Sequence, residues 1–109
     1  LIHAILEAFG QHPDITLWRT NTGAAKTRTG RRVKFNPTGC ADICGVVRVA
    51  CGTRVIGHSI FLEIKSETGT QSDAQIDFQA SVERVGATYV LARSVDDVRA
   101  ALAGLGVRA

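Results

Sequence analysis

Apolar residues at Ile2, Ile5, Leu6 and Phe9 recur at i, i+3, i+4 and i+7, which predicts an amphipathic helix closing at Gly10. His12-Pro13-Asp14 reads as a turn and Ile15–Arg19 as a short strand. From Asn21 to Thr38 the chain is Gly, Thr, Asn and basic residues with one Pro and almost no apolar periodicity, so it reads as a loop. A structureless loop of this length is unusual in so small a domain and usually functional or mobile. Asp42–Val49 and Val55–Lys65 are β-rich runs, and Ala50 to Arg54 between them predicts an antiparallel hairpin turning at Gly52. Ser72-Asp73-Ala74-Gln75 has the form of a capping box. It opens a helix to about Val85, with Ala74, Phe78, Val82 and Val85 as the apolar stripe. Gly86 ends that helix, Thr88–Ala92 is a short buried strand, and Ser94-Val95-Asp96-Asp97 caps a last helix with Val95, Val98 and Leu102 inward.

The expected order is α-β-β-β-α-β-α. The strand–helix–strand stretch from Val55 to Ala92 is a crossover that should be right-handed and leave its two strands parallel. The expected fold class is therefore α/β: one domain over residues 1–109 with a mixed central β-sheet flanked by helices. With 109 residues, 45% hydrophobic and 21% charged, the chain can bury a core without staples, and the balance excludes a disordered tail. Arg48, Arg54 and His58 interrupt the apolar middle, so no membrane span is expected. Leu1–Gly10 has neither a basic flank nor a small-residue cleavage site, so a signal peptide is not expected either. Cys40, Cys44 and Cys51 are odd in number and lack paired spacing, which favours reduced thiols in a cytoplasm over disulfides. His3, His12 and His58 are too scattered to complete a zinc site.

The net charge is only +3, but it is unevenly spread. Arg19, Lys26, Arg28, Arg31, Arg32 and Lys34 fall within one stretch, and no acid occurs from Ile15 through Ala41. A strip of that kind attracts a polyanion, although it can equally be a solvated loop. Two acids sit inside apolar strands. With a turn near Cys51-Gly52, Asp42 lies about level with Glu63, and strand alternation puts Glu63 and Lys65 on one side, Leu62 and Ile64 on the other. Paired carboxylates repel unless a cation or proton lies between them. Mg²⁺ accepts one or two carboxylates and takes waters and phosphate oxygens for the rest, and the Ile64 carbonyl is a further available ligand. Lys65 beside such an ion can orient or deprotonate its water and stabilise charge on a phosphate, which is equipment for hydrolysing a phosphodiester. The plain alternative is a solvated Glu-x-Lys on an edge strand and a turn aspartate.

These residues resemble the VRR-NUC nucleases of the PD-(D/E)XK superfamily, above all the small stand-alone members of phage and bacteria. Trp18-Arg19-Thr20-Asn21-Thr22-Gly23 looks like the family's early strand and its Arg/Asn/Gly loop, and Gly39-x-x-Asp42-Ile43 its aspartate motif. Glu63-Ile64-Lys65 is similar to the Glu-x-Lys core and Ser72-x-x-Gln75 to the start of the following helix. Gly86-Ala87 and Ala92 to Asp97 resemble the closing strand and helix. The resemblance implies a restriction-endonuclease-like core, metal binding by Asp42 and Glu63, a catalytic Lys65 and a supporting Gln75. It also implies Mg²⁺ or Mn²⁺ as cofactor, branched or structured DNA as partner, and a homodimer. Ala41 stands where the superfamily pattern has Pro; that position shapes backbone and carries no ligand. The superfamily often places an acid on the first helix, but nearer its start than Glu7, which is expected to be solvated. Arg19, Asn21, Lys26, Arg28, Arg31, Arg32 and Lys34 are expected to contact phosphates rather than read bases, because the basic loop offers no aromatic except Phe35. Cys44 is expected on the face of Asp42, as a small buried hydrophobe. The expected function is a metal-dependent deoxyribonuclease; a non-cleaving DNA-binding module or an ordinary partner-binding α/β protein are the alternatives.

Overall fold

The computed structural model describes residues 1–20, 24–26, 28–34 and 36–109, of which 24–26, 33 and 34 are described by their backbone alone. The elements are α1 (Ile2–Phe9), β1 (Ile15–Arg19), β2 (Ala24–Lys26), β3 (Arg32–Lys34), β4 (Ile43–Cys51), β5 (Arg54–Ile64), α2 (Asp73–Arg84), β6 (Thr88–Ala92) and α3 (Val95–Gly104). Four strands form the central sheet in the order β1-β4-β5-β6. β1, β4 and β5 pair antiparallel, and β5 pairs parallel with β6 across α2, so the sheet is mixed as expected. Ile15–Arg19 and Thr88–Ala92 coincide with the expected strands.

The basic stretch departs from the expected loop. β2 and β3 pair antiparallel as a separate ribbon, Ala24 with Lys34 and Lys26 with Arg32, so the order becomes α-β-β-β-β-β-α-β-α. Backbone pairing needs no apolar periodicity, and this ribbon lies outside the central sheet, which is why hydrophobic pattern is blind to it. The β4–β5 turn is also tighter than the five residues expected. Pairing runs to Cys51 and Arg54, leaving Gly52-Thr53 as a two-residue turn with Gly52 at φ +61°, a conformation glycine adopts without strain.

One face of the sheet carries the core. Ile43, Val47, Ile60, Leu62 and Ala92 are buried against Ile5 and Phe9 of α1 and Val98 and Leu102 of α3. Each of these positions alternates with the residues of the other face, which α2 covers only in part. Phe78 of α2 meets the Phe61 ring edge-on at 5.3 Å between centroids, and Tyr89 at 6.3 Å. Val85, expected inward, is 77% exposed, because it is the C-cap and has left the helical repeat. No residue of α2 is buried. The helix lays Gln75 and Gln79 as well as Phe78 toward the sheet. Among the described residues no helix is long and apolar enough to cross a membrane.

Candidate active site

β5 and β6 end, and α2 begins, at the end of the sheet where β4 starts. In parallel strand–helix units this carboxyl end is where ligands bind. The register Ile43–Leu62, continued one residue outward, sets Asp42 level with Glu63. Thr20 extends the β1–β4 ladder to Asp42, its N–H donating to the Asp42 carbonyl at 2.9 Å. The Asp42 side chain is fixed in turn, with Oδ2 accepting from the Ile64 N–H at 2.8 Å.

Glu63 is the buried charged residue of the described chain, 2% exposed. Its Oε1 accepts from Gln75 Nε2 at 3.0 Å and lies 3.7 Å from Lys65 Nζ. Its Oε2 is buried without a hydrogen-bond partner among the described residues. Burial above all, and then the Asp42 carboxylate, push the Glu63 carboxyl up to about 7, while Lys65 opposes the shift. An unsatisfied carboxylate oxygen facing a second carboxylate calls for a proton or a cation. Asp42 and Glu63 together fit a hard divalent ion that keeps several waters. Ile64 has already given its N–H to Asp42, which leaves its carbonyl as the group it can offer. No cluster of three or more His, Cys, Asp and Glu occurs among the described residues, so the donor set is unlike a closed zinc site.

Gln75 reconciles two roles that compete in the sequence. The Ser72 hydroxyl accepts from the Gln75 N–H at 3.2 Å and Gln75 Oε1 accepts from the Ser72 N–H at 2.8 Å, completing the capping box. The other end of the same amide, Nε2, holds Glu63. Gly39 secures the approach of the two halves. It has φ +80°, and a Cβ there would overlap the Ala74 carbonyl and lie 2.9 Å from the Gln75 nitrogen. The loop leading to Asp42 can rest on the first turn of α2 only with glycine at that point.

Cys40, Tyr89, Gln71, Gln79 and Arg93 join the site without a role expected from the sequence, whereas Cys44 was expected on the face of Asp42 as a buried hydrophobe. Cys40, half-buried, has its thiol pushed up by burial and then by Glu63. Cys44 is half-buried on the face of Asp42, paired across with Phe61, and burial raises its thiol as well. Tyr89 is 8% exposed and raised by burial; its hydroxyl accepts from Gln71 Nε2 at 3.3 Å, which also donates to Gln79 Oε1 at 2.9 Å. The four-residue spacing of Gln71, Gln75 and Gln79 is the signal that could have flagged this row. Arg93, just past β6, donates through Nη1 to the carbonyls of Ser66 and, at 2.9 Å, Gly69, tying down the turn after Lys65.

The structure thus brings Asp42, Glu63, Ile64, Lys65 and Gln75 together. Glu7 is exposed on α1, across the sheet from them, as expected of a solvated position. Arg28, Arg31 and Arg32 are exposed along the β2–β3 ribbon, which lies in the chain between Thr20 and Gly39. Arg19 pairs with the core-facing Ile43, so alternation turns it to the face opposite Asp42. Asn21 and Phe35, and the side chains of Lys26 and Lys34, lie outside the described residues. Comparison with family models, curated proteins and solved structures finds no match in any of the three.

Proposed function

We propose that this chain is a divalent-metal-dependent endonuclease with a restriction-endonuclease-like core of the VRR-NUC type, hydrolysing phosphodiester bonds of branched or otherwise structured DNA. The observation that carries the reading is the Asp42–Glu63 pair around a buried carboxylate oxygen without a partner among the described residues, with Lys65 Nζ 3.7 Å from Glu63. Mg²⁺ or Mn²⁺, when bound, would polarise a phosphate oxygen and acidify a bound water. Ile64 fixes the Asp42 carboxylate and Gln75 fixes Glu63, so neither acid has to reorganise as charge develops. Lys65, 19% exposed at the side chain, presents its ammonium where a phosphate arriving from solvent would meet it.

The exposed arginines of the β2–β3 ribbon, with Lys26, Lys34 and Asn21, would supply sequence-independent contacts to the phosphate backbone, from which Arg19 drops out because it faces away from Asp42, and affinity should fall steeply with salt. A homodimer would set two sites on one branched substrate, as the two symmetric cuts of a four-way junction require.

Labelled branched and linear DNA incubated with the protein tests this directly. Cleavage is expected with Mg²⁺ or Mn²⁺, lost with chelator and lost in Glu63→Ala and Lys65→Ala. Tight binding without cleavage by the intact chain would replace the nuclease with a DNA-binding module, and neither binding nor cleavage would leave an unrelated α/β protein.

A further inference from the structure

α2 packs on the β5–β6 half of its face, and among the described residues Thr16, Trp18, Val46 and Arg48 on the β1–β4 half are exposed. Of these, Trp18 is 48% exposed and the single tryptophan of the chain. The register aligns Trp18, Cys44, Phe61 and Tyr89 across the sheet, one row from the Thr20, Asp42 and Glu63 row. Trp18 is therefore a diagonal neighbour of Asp42 on the same face, within about 7–8 Å by strand geometry. Continuing along β4, alternation places Val46, 42% exposed, and then the exposed Arg48 on this face. A shallow cleft of about 200 Å³ lies there, lined by Thr16, Val46, Arg48 and Val55, with Asp14 at its rim. The strip thus runs from Lys65 and the carboxylates to a guanidinium about 20 Å away, with an indole and a valine between.

We propose that Trp18 is a stacking platform for an unpaired nucleobase next to the phosphate that a divalent ion at Asp42 and Glu63 would engage, with Arg48 neutralising the backbone further along the strip. The inference deepens the nuclease reading and rests on it for the phosphate. Cationic groups at both ends and an aromatic plane between them match a nucleic-acid strand, whose charge and π-faces alternate along its length. A base inside a continuous duplex has no face to offer, so the substrate is one whose bases are splayed beside the cut: a flap, a branch point or a single-stranded gap.

The lone indole is its own probe. The intact chain, in chelator so that nothing is cut, is titrated with a 12-nucleotide oligodeoxyadenylate, an abasic oligomer of equal length and charge, and a blunt duplex. Saturable quenching of Trp18 fluorescence is expected with the oligodeoxyadenylate and little with the other two. Trp18→Ala should weaken oligodeoxyadenylate binding, read by anisotropy of a labelled strand, roughly ten- to a hundredfold, and Trp18→Phe less than about fivefold. Abasic binding should be unchanged in both. No quenching, or equal quenching by the abasic oligomer, overturns the platform. So does emission that shifts with protein concentration alone, which would give this face to a second copy of the chain. Quenching without metal-dependent cleavage keeps the platform and removes the nuclease; cleavage without quenching does the reverse.

Discussion

Gln75 Nε2 donates to Glu63 Oε1 at 3.0 Å while Oε1 of the same amide accepts from the Ser72 N–H that opens α2. The helix start and the buried carboxylate are therefore one hydrogen-bonded unit. Gln75→Glu keeps an acceptor for Ser72, as capping boxes allow, but replaces the donor to Glu63 with another carboxylate. It should retain the helix and lose at least tenfold in cleavage rate. Gln75→Ala removes both ends and should also lose about 1 kcal/mol of stability. Circular dichroism melting beside single-turnover cleavage separates the two.

Glu63 makes the ion-free protein sensitive to pH. Its carboxyl is raised from 4.5 to about 7 in the folded chain, so the folded state holds this proton more tightly than the unfolded one. Stability from this group is complete below about pH 4.5, declines as pH rises toward 7 and stays low above that, a loss on the order of 3 kcal/mol. Melting in chelator should show the decline, Glu63→Gln should flatten it, and Mn²⁺ should remove it.

The same proton competes with the cation. Affinity for Mn²⁺ should rise by up to tenfold per pH unit below 7 and level off above it, with proton release on binding. Calorimetry in two buffers of different ionisation enthalpy measures that release. Binding without a proton, at constant affinity from pH 5.5 to 8, would mean that Glu63 is already ionised.

Gly39 and Gly86 should respond differently to the same change. Both have positive φ, but a Cβ at Gly86 meets open space, whereas at Gly39 it meets the backbone of α2. Gly86→Ala should cost about 1 kcal/mol, within the usual penalty for a strained turn position. Gly39→Ala should cost more, and should lower cleavage beyond its effect on the folded fraction, because it separates Asp42 from Gln75. Equal melting shifts in the two variants would contradict this.

Arg93 holds the Ser66–Gly69 turn through two carbonyls, and an added Cβ at Gly69 would lie 3.5 Å from Lys65 Cδ, so the turn packs along the lysine stem. Arg93→Gln should speed hydrogen exchange over residues 65–71 while leaving β4 protected. It should lower kcat at nearly constant KM for DNA. A raised KM with a shallower salt slope would show instead that this exposed guanidinium contacts phosphate.

α1, α3, the central strands and the parallel β5–β6 pairing are legible in the sequence because each buries an apolar face with its own period, and α2, with no buried residue, is legible from its capping box. The Asp42–Glu63 alignment follows from the turn at Gly52, since a hairpin register is fixed by its turn. The β2–β3 ribbon was not legible, because the pairing of Ala24–Lys26 with Arg32–Lys34 leaves no period in side-chain hydropathy. Gln75 was expected at the site only by resemblance, in a supporting role, since its cap already accounts for a glutamine there; its hydrogen bond to Glu63 is seen only in the structure. Trp18 falls in a short strand with no face assigned to it by the sequence; its 48% exposure depends on how far α2 extends over the sheet, which no local pattern encodes.

Beyond Val47 and Ile60, β4 and β5 outrun β1 and β6 as a two-stranded arm whose tip, Cys51 to Arg54, is exposed. Cys51 is the accessible thiol, while Cys40 and Cys44 are half-buried with their thiols raised. The arm places it about 30 Å from Asp42. A maleimide dye would therefore attach at one position by preference, and would report the approach of a labelled DNA end by energy transfer without crowding the carboxylates.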